Sequence, residues 1–255
     1  MRRLCMFFLA TILSVTGVSY AGQDTLTQIS TIDALMSGIY DGETTLQALK
    51  EKGDFGLGTF NTLDGEMVLL GGEFFRINGK GAVERPDLKT KTPFAAVTFF
   101  EADRIVPLKK GLDFKALVAA TDKMLPTANM FYAIRITGSF SVVKTRSVPA
   151  QQKPYRPLSE VVKTQPVFTL NNVRGEIVGF RCPPYVKGVN VPGYHLHFIT
   201  ADRSAGGHVL DFSVDTAVLE VDDTSEFTVV IPSDKAFLEA DLTPDREKEL
   251  KAVEK

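Results

Sequence analysis

The chain has 255 residues, of which 44% are hydrophobic and 24% charged, and its formal net charge at pH 7 is −2. A mildly acidic chain without a basic block does not fit a nucleic-acid or anionic-membrane partner, because both are bound mainly through clustered lysine and arginine. At this length, folding removes about 70% or more of the chain's surface from water, so stability needs no disulfide framework.

The N-terminus has the three parts of a secretory signal peptide. Residues 1–3 form a short basic leader, residues 4–18 are mostly apolar and uncharged, and Ser19-Tyr20-Ala21 places small residues where signal peptidase reads them. A transmembrane anchor is the alternative, but the apolar run is short for a bilayer span of about 20 residues. We therefore predict removal of residues 1–21 and export to the periplasm or the cell exterior, with no membrane contact afterwards.

Removal of the signal would also remove Cys5 and leave Cys182 as the single cysteine of residues 22–255. A lone cysteine in an exported protein is most often a small buried hydrophobic residue and less often a reactive thiol. No disulfide is therefore predicted.

Two short helices are predicted near the start of the mature chain. After a polar lead-in at residues 24–30, apolar residues recur at helical spacing behind Thr31, which is a plausible N-cap. Thr44 or Thr45 would cap a second helix that ends before Gly53.

The spacing of apolar residues then changes from that of a helix to that of a strand. Segments with strand-like composition lie at residues 55–63, 66–77 and 80–84. Asp64-Gly65 and Asn78-Gly79 separate them, and such pairs favour two-residue type I′ hairpin turns. An antiparallel meander is the expected result.

Strands and helices alternate in blocks along the rest of the chain. Strands are predicted at residues 93–101, 130–148 (interrupted at Gly138), 167–182 (a hairpin turning at 173–175), 194–200, 207–214, 217–222 and 226–231. Helices are predicted at residues 113–124, 158–163, 233–242 and 244–254, the last with Thr243 as its cap. Antiparallel runs with helices at the ends indicate an α+β fold rather than a βαβ repeat. A proline-rich stretch near residues 147–157 suggests a seam between two subdomains.

All three histidines of the chain fall between positions 195 and 208. Because a strand sends alternate side chains to opposite faces, His195 and His197 share a face, and a turn at residues 201–205 would bring His208 of the return strand close to His197. The pattern predicts a three-histidine metal site, with zinc as the first choice and iron, manganese or copper behind it. Histidines held by hydrogen bonds in the core are the alternative.

A metal does not define a reaction. The chain has no G-x-S-x-G motif, P-loop, dinucleotide fingerprint or helical H-E-x-x-H. From composition and spacing alone, the chain is an exported metalloenzyme, a lyase or a hydrolase.

The residues around the histidines resemble the zinc-site signature of the alpha-acetolactate decarboxylase family. The matching block reads VPGYHLHF from Val191, followed by Asp202-Arg203 and by GGHVLD from Gly206. Further segments match in the family's order at residues 38–42, 56–60, 63–67, 72–75 and 145–149. The resemblance covers nearly all of residues 22–255.

The resemblance implies an α+β fold with mixed or antiparallel sheets in two halves, flanking helices, a zinc site on the C-terminal sheet and, usually, a homodimer. It also implies the decarboxylation of 2-acetolactate, a 2-hydroxy-3-keto acid, to acetoin and carbon dioxide through a metal-stabilised enediolate.

Seven site residues follow from the resemblance. They are the zinc ligands His195, His197 and His208, the catalytic residues Glu66, Arg146 and Glu254, and the substrate-binding residues Thr59 and, again, Arg146. Without the family context, Glu66 and Arg146 would be read as surface charges at strand ends. An exported zinc hydrolase or hydratase, or a metal-binding module without activity, would use the same three histidines and stays open.

Overall fold

The computed structural model describes residues 24–254, which form two large β-sheets, one two-stranded sheet and several short helices. The predicted signal peptide and its cleavage site lie outside these residues. None of the helices in the described part of the chain has the length and apolarity that a membrane crossing requires.

Strands make up most of the regular structure. In chain order they are β1 (Thr25–Ile29), β2 (Thr44–Thr45), β3 (Phe55–Thr59), β4 (Glu66–Leu70), β5 (Glu73–Ile77), β6 (Val83–Glu84), β7 (Lys91–Thr92), β8 (Ala95–Thr98), β9 (Arg104–Leu108), β10 (Phe131–Arg146), β11 (Val167–Cys182), β12 (Gly193–Thr200), β13 (Gly206–Thr224) and β14 (Glu226–Val230). The α-helices are α1 (Ile32–Met36), α2 (Leu46–Lys50), α3 (Phe114–Met124), α4 (Leu158–Val161), α5 (Lys235–Leu238) and α6 (Glu247–Val253). Turns of 3-10 helix lie at Asn61–Leu63, Val162–Thr164 and Pro184–Val186.

The first sheet has seven strands in the order β14-β1-β8-β3-β4-β5-β6. Its pairings are antiparallel except that of β1 with β14, which is parallel. The second sheet contains β10, β11, β12, β13 and β9, and it closes on itself because β10 pairs with both β11 and β13. The predicted α+β class with largely antiparallel sheets is therefore confirmed.

Apolar side chains fill the space between the two sheets. Leu57 and Val68 of the first sheet pack with Val178, Phe180 and Ile199 of the second. The opposite face of β12 carries Leu196 and Phe198 into a separate cluster inside the closed sheet. The two faces of β12 thus meet different partners, as strand alternation requires.

A third apolar cluster gathers the short helices over one end of the sheets. It joins Ile32 of α1, Leu158 of α4 and Val253 of α6 to Leu63 and Val148. Residues 147–157 connect β10 to α4 beside this cluster. The division into two subdomains at that segment remains a prediction.

Several predicted elements are present with their expected caps. The Thr31 hydroxyl accepts a hydrogen bond from the Ala34 backbone N–H at the start of α1, and the Thr45 hydroxyl accepts one from Ala48 at the start of α2. Each bond satisfies one of the free donors at a helix N-terminus. The capping residues were therefore sufficient to locate these helices.

The predictions were wrong where glycine was read as a break in a strand. β11 is one continuous strand that pairs with β10 along its length, with no hairpin at residues 173–175. A Cβ at Gly175 would lie 2.4 Å from the Ile199 carbonyl oxygen, and one at Gly138 would lie 2.2 Å from that of Thr216. Because they have no Cβ, these glycines let the neighbouring strand approach closely. Residues 207–222 likewise belong to the single strand β13.

Turn and helix boundaries also differ. The predicted strand at residues 66–77 is broken at Gly71-Gly72, whose φ angles of 59° and 76° form a left-handed turn. The Asp64-Gly65 connection is longer than two residues because a 3-10 turn precedes it. The supposed lead-in at residues 24–30 contains β1, whose residues are mostly buried.

The last helix is shorter than predicted. α6 begins at Glu247 without a side-chain cap, whereas Thr243 donates its hydroxyl proton to Asp241. The predicted helix at residues 233–242 is reduced to α5, and β9 was not predicted at all. Local hydrogen bonds of the Asp and Thr side chains competed with the helix here.

Candidate metal centre

The three histidines meet at the junction of β12 and β13. His197 lies directly opposite His208 in the antiparallel register, and His195 follows two residues away on the same face of β12. The ring centroids are 5.1 to 5.5 Å apart. One nitrogen from each ring lies within 4.8 Å of the other two. The convergence predicted from the spacing is therefore confirmed.

Strand β12, which carries His195 and His197, packs closely against its neighbour β11. A Cβ at Gly179 of β11 would lie 2.0 Å from the His195 carbonyl oxygen, so only glycine lets β12 pass at this distance. The Nδ1 of His197 lies 2.7 Å from the Met67 carbonyl oxygen of β4. If Nδ1 donates its proton there, the other ring nitrogen has a free lone pair that points toward the neighbouring histidines.

Burial keeps the imidazoles neutral. It lowers the pKa of His195 to about 3, with a smaller contribution from Arg146, and it lowers the pKa of His197 and His208 well below the usual histidine value. Neutral imidazole is the form that binds a metal. These nitrogens therefore need lose no proton near pH 7 to act as ligands.

The donor atoms fit a divalent metal ion. His195 Nδ1 and His197 Nε2 are buried and have no hydrogen-bond partner among residues 24–254. Buried polar atoms are almost always paired, so two orphaned nitrogens that face one another require an explanation. A cation bound by the three histidines would satisfy both, and imidazole is a suitable ligand for zinc, iron, copper or nickel.

Two carboxylates flank the histidines. Glu66, at the start of β4, places Oε2 3.4 Å from His197 Nε2, and Glu254, which follows α6, places Oε2 3.7 Å from His208 Nε2. Burial raises the pKa of Glu66 to about 8, which Arg146 opposes, and raises that of Glu254 to about 7. Both residues expected at the site from the family resemblance are thus beside the histidines, including the residue near the chain end.

Arg146 ends β10 directly opposite His208. Its residue surface is only 4% exposed, and its guanidinium forms no ion pair within 4.0 Å in the described part of the chain. Burial lowers its pKa, whereas Glu254 and Glu66 act in the opposite direction. A buried guanidinium without a close carboxylate is suited to bind an anionic ligand.

Thr59 lies beside Glu66 across the β3–β4 ladder. Its hydroxyl donates to the Gly65 carbonyl oxygen at 2.7 Å. The hydroxyl proton is therefore already used in a hydrogen bond to the main chain, and the hydroxyl oxygen can still accept a hydrogen bond within the cavity.

All of these side chains except that of His197 line a cavity of ≈ 50 Å³. Sequence reasoning missed most of its wall, which includes Leu63, Phe94, Val148, Leu158, Val162, Gln165 and Val253. Leu63 and Val148 lie in segments that match the family, but no motif marks the other residues, because they come from segments that meet only when the helices pack over the sheets. The cavity is lined by both polar and apolar side chains.

Comparisons with known proteins agree with the sequence resemblance. A family model described as alpha-acetolactate decarboxylase matches residues 26–244. Alpha-acetolactate decarboxylases from Methanosarcina mazei and Methylococcus capsulatus are each 48% identical to this chain, covering 94% and 89% of it and 84% and 87% of their own lengths. The crystal structure of the Bacillus subtilis strain 168 enzyme superposes with a TM-score of 0.88 at 40% identity, covering 90% of this chain and 99% of that one.

We predict that His197→Ala removes most of the bound metal, because the remaining two imidazoles cannot hold a cation as tightly. The wild-type protein should carry about one divalent metal per chain and release it on acidification, since protons compete for the ligands. Metal analysis by mass spectrometry measures both. Tyr194→Phe, on the opposite face of β12, is the matched control. Full metal content in His197→Ala would contradict the three-histidine assignment.

Proposed function

The chain belongs to the alpha-acetolactate decarboxylase family and is a carboxy-lyase, and we propose that it converts 2-acetolactate to acetoin and carbon dioxide with a zinc ion bound by His195, His197 and His208. The observation that carries this proposal is one cavity lined by two of the three histidines, by two carboxyl groups and by an arginine free of close ion pairs, with the third histidine, His197, within 4.8 Å of the other two.

Zinc suits three imidazoles held on rigid strands with positions left for a ligand. Held by His195, His197 and His208, the ion would supply Lewis-acid stabilisation of the negative charge that develops as carbon dioxide leaves. The remaining work falls to side chains of this chain.

Arg146 would bind the carboxylate of 2-acetolactate. Its planar fork can donate two parallel hydrogen bonds to the two carboxylate oxygens and so fix the bond that breaks. Arg146 is buried, and a charge interaction is stronger in the interior than in water. Orientation of the substrate is thus the main task of Arg146.

Glu66 would supply the proton that must reach carbon after the carbon–carbon bond breaks. Burial raises its pKa to about 8, so this carboxyl can hold a proton near neutral pH and transfer it. Glu254, with a pKa raised to about 7, is a second acid beside the same histidines. The two carboxyls together keep a proton available in the site.

The direct test is an assay of the purified, zinc-loaded protein with 2-acetolactate. Equal amounts of acetoin and carbon dioxide are expected, with no comparable rate in ester hydrolysis or carbon dioxide hydration. Hydrolase or hydratase activity without acetoin would instead support the other use of a three-histidine zinc site. No activity in any of the assays would indicate a metal-binding module.

We predict that Glu66→Gln lowers kcat by on the order of 10²-fold or more, because the amide has the shape of the carboxyl but cannot transfer a proton. Zinc content and thermal midpoint should stay near wild type. Glu51→Gln, at an exposed position after α2, is the matched control. If Glu66→Gln is fully active, the carboxyl is structural and the proton comes from elsewhere, with Glu254 as the first candidate.

Arg146→Lys provides the complementary measurement. Lysine keeps the positive charge but loses the planar fork, so substrate binding should weaken together with the rate. A raised KM with a lowered kcat is therefore expected, in contrast to the kcat effect of Glu66→Gln. An unchanged KM would remove Arg146 from carboxylate binding.

We also propose that the enzyme is exported and forms a homodimer, as its N-terminal sequence and the family resemblance suggest. N-terminal sequencing of the protein recovered from the periplasm or medium should begin at Gly22, and retention of Met1 would favour an anchor. Light scattering of the purified protein should give the mass of two chains. A mass of one chain would contradict the dimer.

A further inference from the structure

Gln165 lines the same cavity as His195, His208, Arg146 and the two carboxyls. It follows the 3-10 turn Val162–Thr164 and comes just before β11. Its backbone N–H donates to the Val162 carbonyl oxygen at 3.4 Å. The main chain at this wall of the cavity is therefore hydrogen-bonded to the preceding turn.

The β10–β11 ladder continues toward Gln165. Arg146 pairs with Val167, and the Ser147 backbone N–H then donates to the Pro166 carbonyl oxygen at 3.4 Å. Continuing this antiparallel register by one residue sets Val148 opposite Gln165.

Residues two apart on a strand face the same side, so Arg146 and Val148 point the same way, and both line the cavity. Gln165 is therefore a diagonal cross-strand neighbour of Arg146. Diagonal neighbours on two paired strands are about 7–8 Å apart, a distance that two long side chains can span.

The Gln165 amide is free to bind a ligand. The residue is half-buried, and its side chain makes no hydrogen bond to any residue between 24 and 254. An amide carries two N–H donors, and a half-buried donor that faces a cavity gains most from an acceptor inside it. The Arg146 side chain, which lines the same cavity, favours an acceptor that is negatively charged.

We propose that Gln165 donates an amide N–H to the carboxylate of the substrate, beside Arg146, and so acts as a second carboxylate-binding residue. This inference rests on the proposed decarboxylation of 2-acetolactate. The carboxylate loses its negative charge as it becomes carbon dioxide. A hydrogen bond to it is therefore stronger in the bound substrate than in the transition state.

That difference gives the interaction a kinetic signature. Removing a contact that is stronger in the bound substrate than in the transition state raises KM and also raises kcat, so kcat/KM falls by a smaller factor than KM rises. A residue needed only for folding would instead lower zinc content, stability and kcat together. The change in KM, compared with the change in kcat, thus distinguishes substrate binding from a structural role.

The test compares Gln165→Met and Gln165→Glu in the zinc-loaded enzyme with 2-acetolactate. Methionine has a similar length but no donor, and KM should rise about tenfold, as expected for losing a hydrogen bond to a charged group. Glutamate adds a negative charge beside the carboxylate and competes for Arg146, so its KM should rise further. Gln152→Met and Gln152→Glu, at an exposed position outside the cavity, should leave KM unchanged.

Zinc content and the thermal midpoint are measured on the same samples, and Gln165→Glu serves if Gln165→Met does not fold. An unchanged KM in either folded Gln165 variant overturns the proposal, and so does a fall in kcat. If wild type forms no acetoin, the proposed function has failed. If wild type is active and KM does not respond, only the role of Gln165 has failed.

Discussion

The antiparallel pairing of His197 with His208 positions the other parts of the site. Directly opposed residues in such a pair share a face and have Cβ atoms about 4.5–5.5 Å apart, which brings the two imidazoles together without any loop ordering. His195 joins them because it lies two residues from His197. A slip of one residue in β12 would turn its two histidines to the apolar face, so the register and the metal centre are a single property of the sheet.

Burial shifts the pKa of every ionisable group named at the site toward the value that favours its neutral form. It is the largest cause of the raised pKa of Glu66 and Glu254 and of the lowered pKa of the histidines and Arg146. The interior thus favours the neutral form of each group. A divalent cation among the histidines would stabilise negative charge in the site, and Arg146 would balance the carboxylate of the substrate.

The fold was predicted best where a local signal is strong. Thr31 and Thr45 located α1 and α2 because an N-cap is a contact between near neighbours in sequence. Glycine misled the prediction because the same residue serves in turns and in close strand approach. Gly71-Gly72 is a turn, whereas Gly138 and Gly175 lie inside long strands, and only the neighbouring strand distinguishes the two cases.

The sequence by itself determined the metal-binding pattern, since strand alternation and one short turn are enough to bring His195, His197 and His208 together. It also determined the family, through motifs spread along most of the chain. The spacing of residues did not place Glu66 and Glu254 at the site, where only the family resemblance put them, and nothing in the sequence marked Gln165. The tertiary structure brings the three residues to one cavity, because they belong to separate elements that meet through the packing of the two sheets and the helices over them. No sequence period encodes such long-range packing, whereas the spacing of side chains along one strand is fixed by the backbone itself.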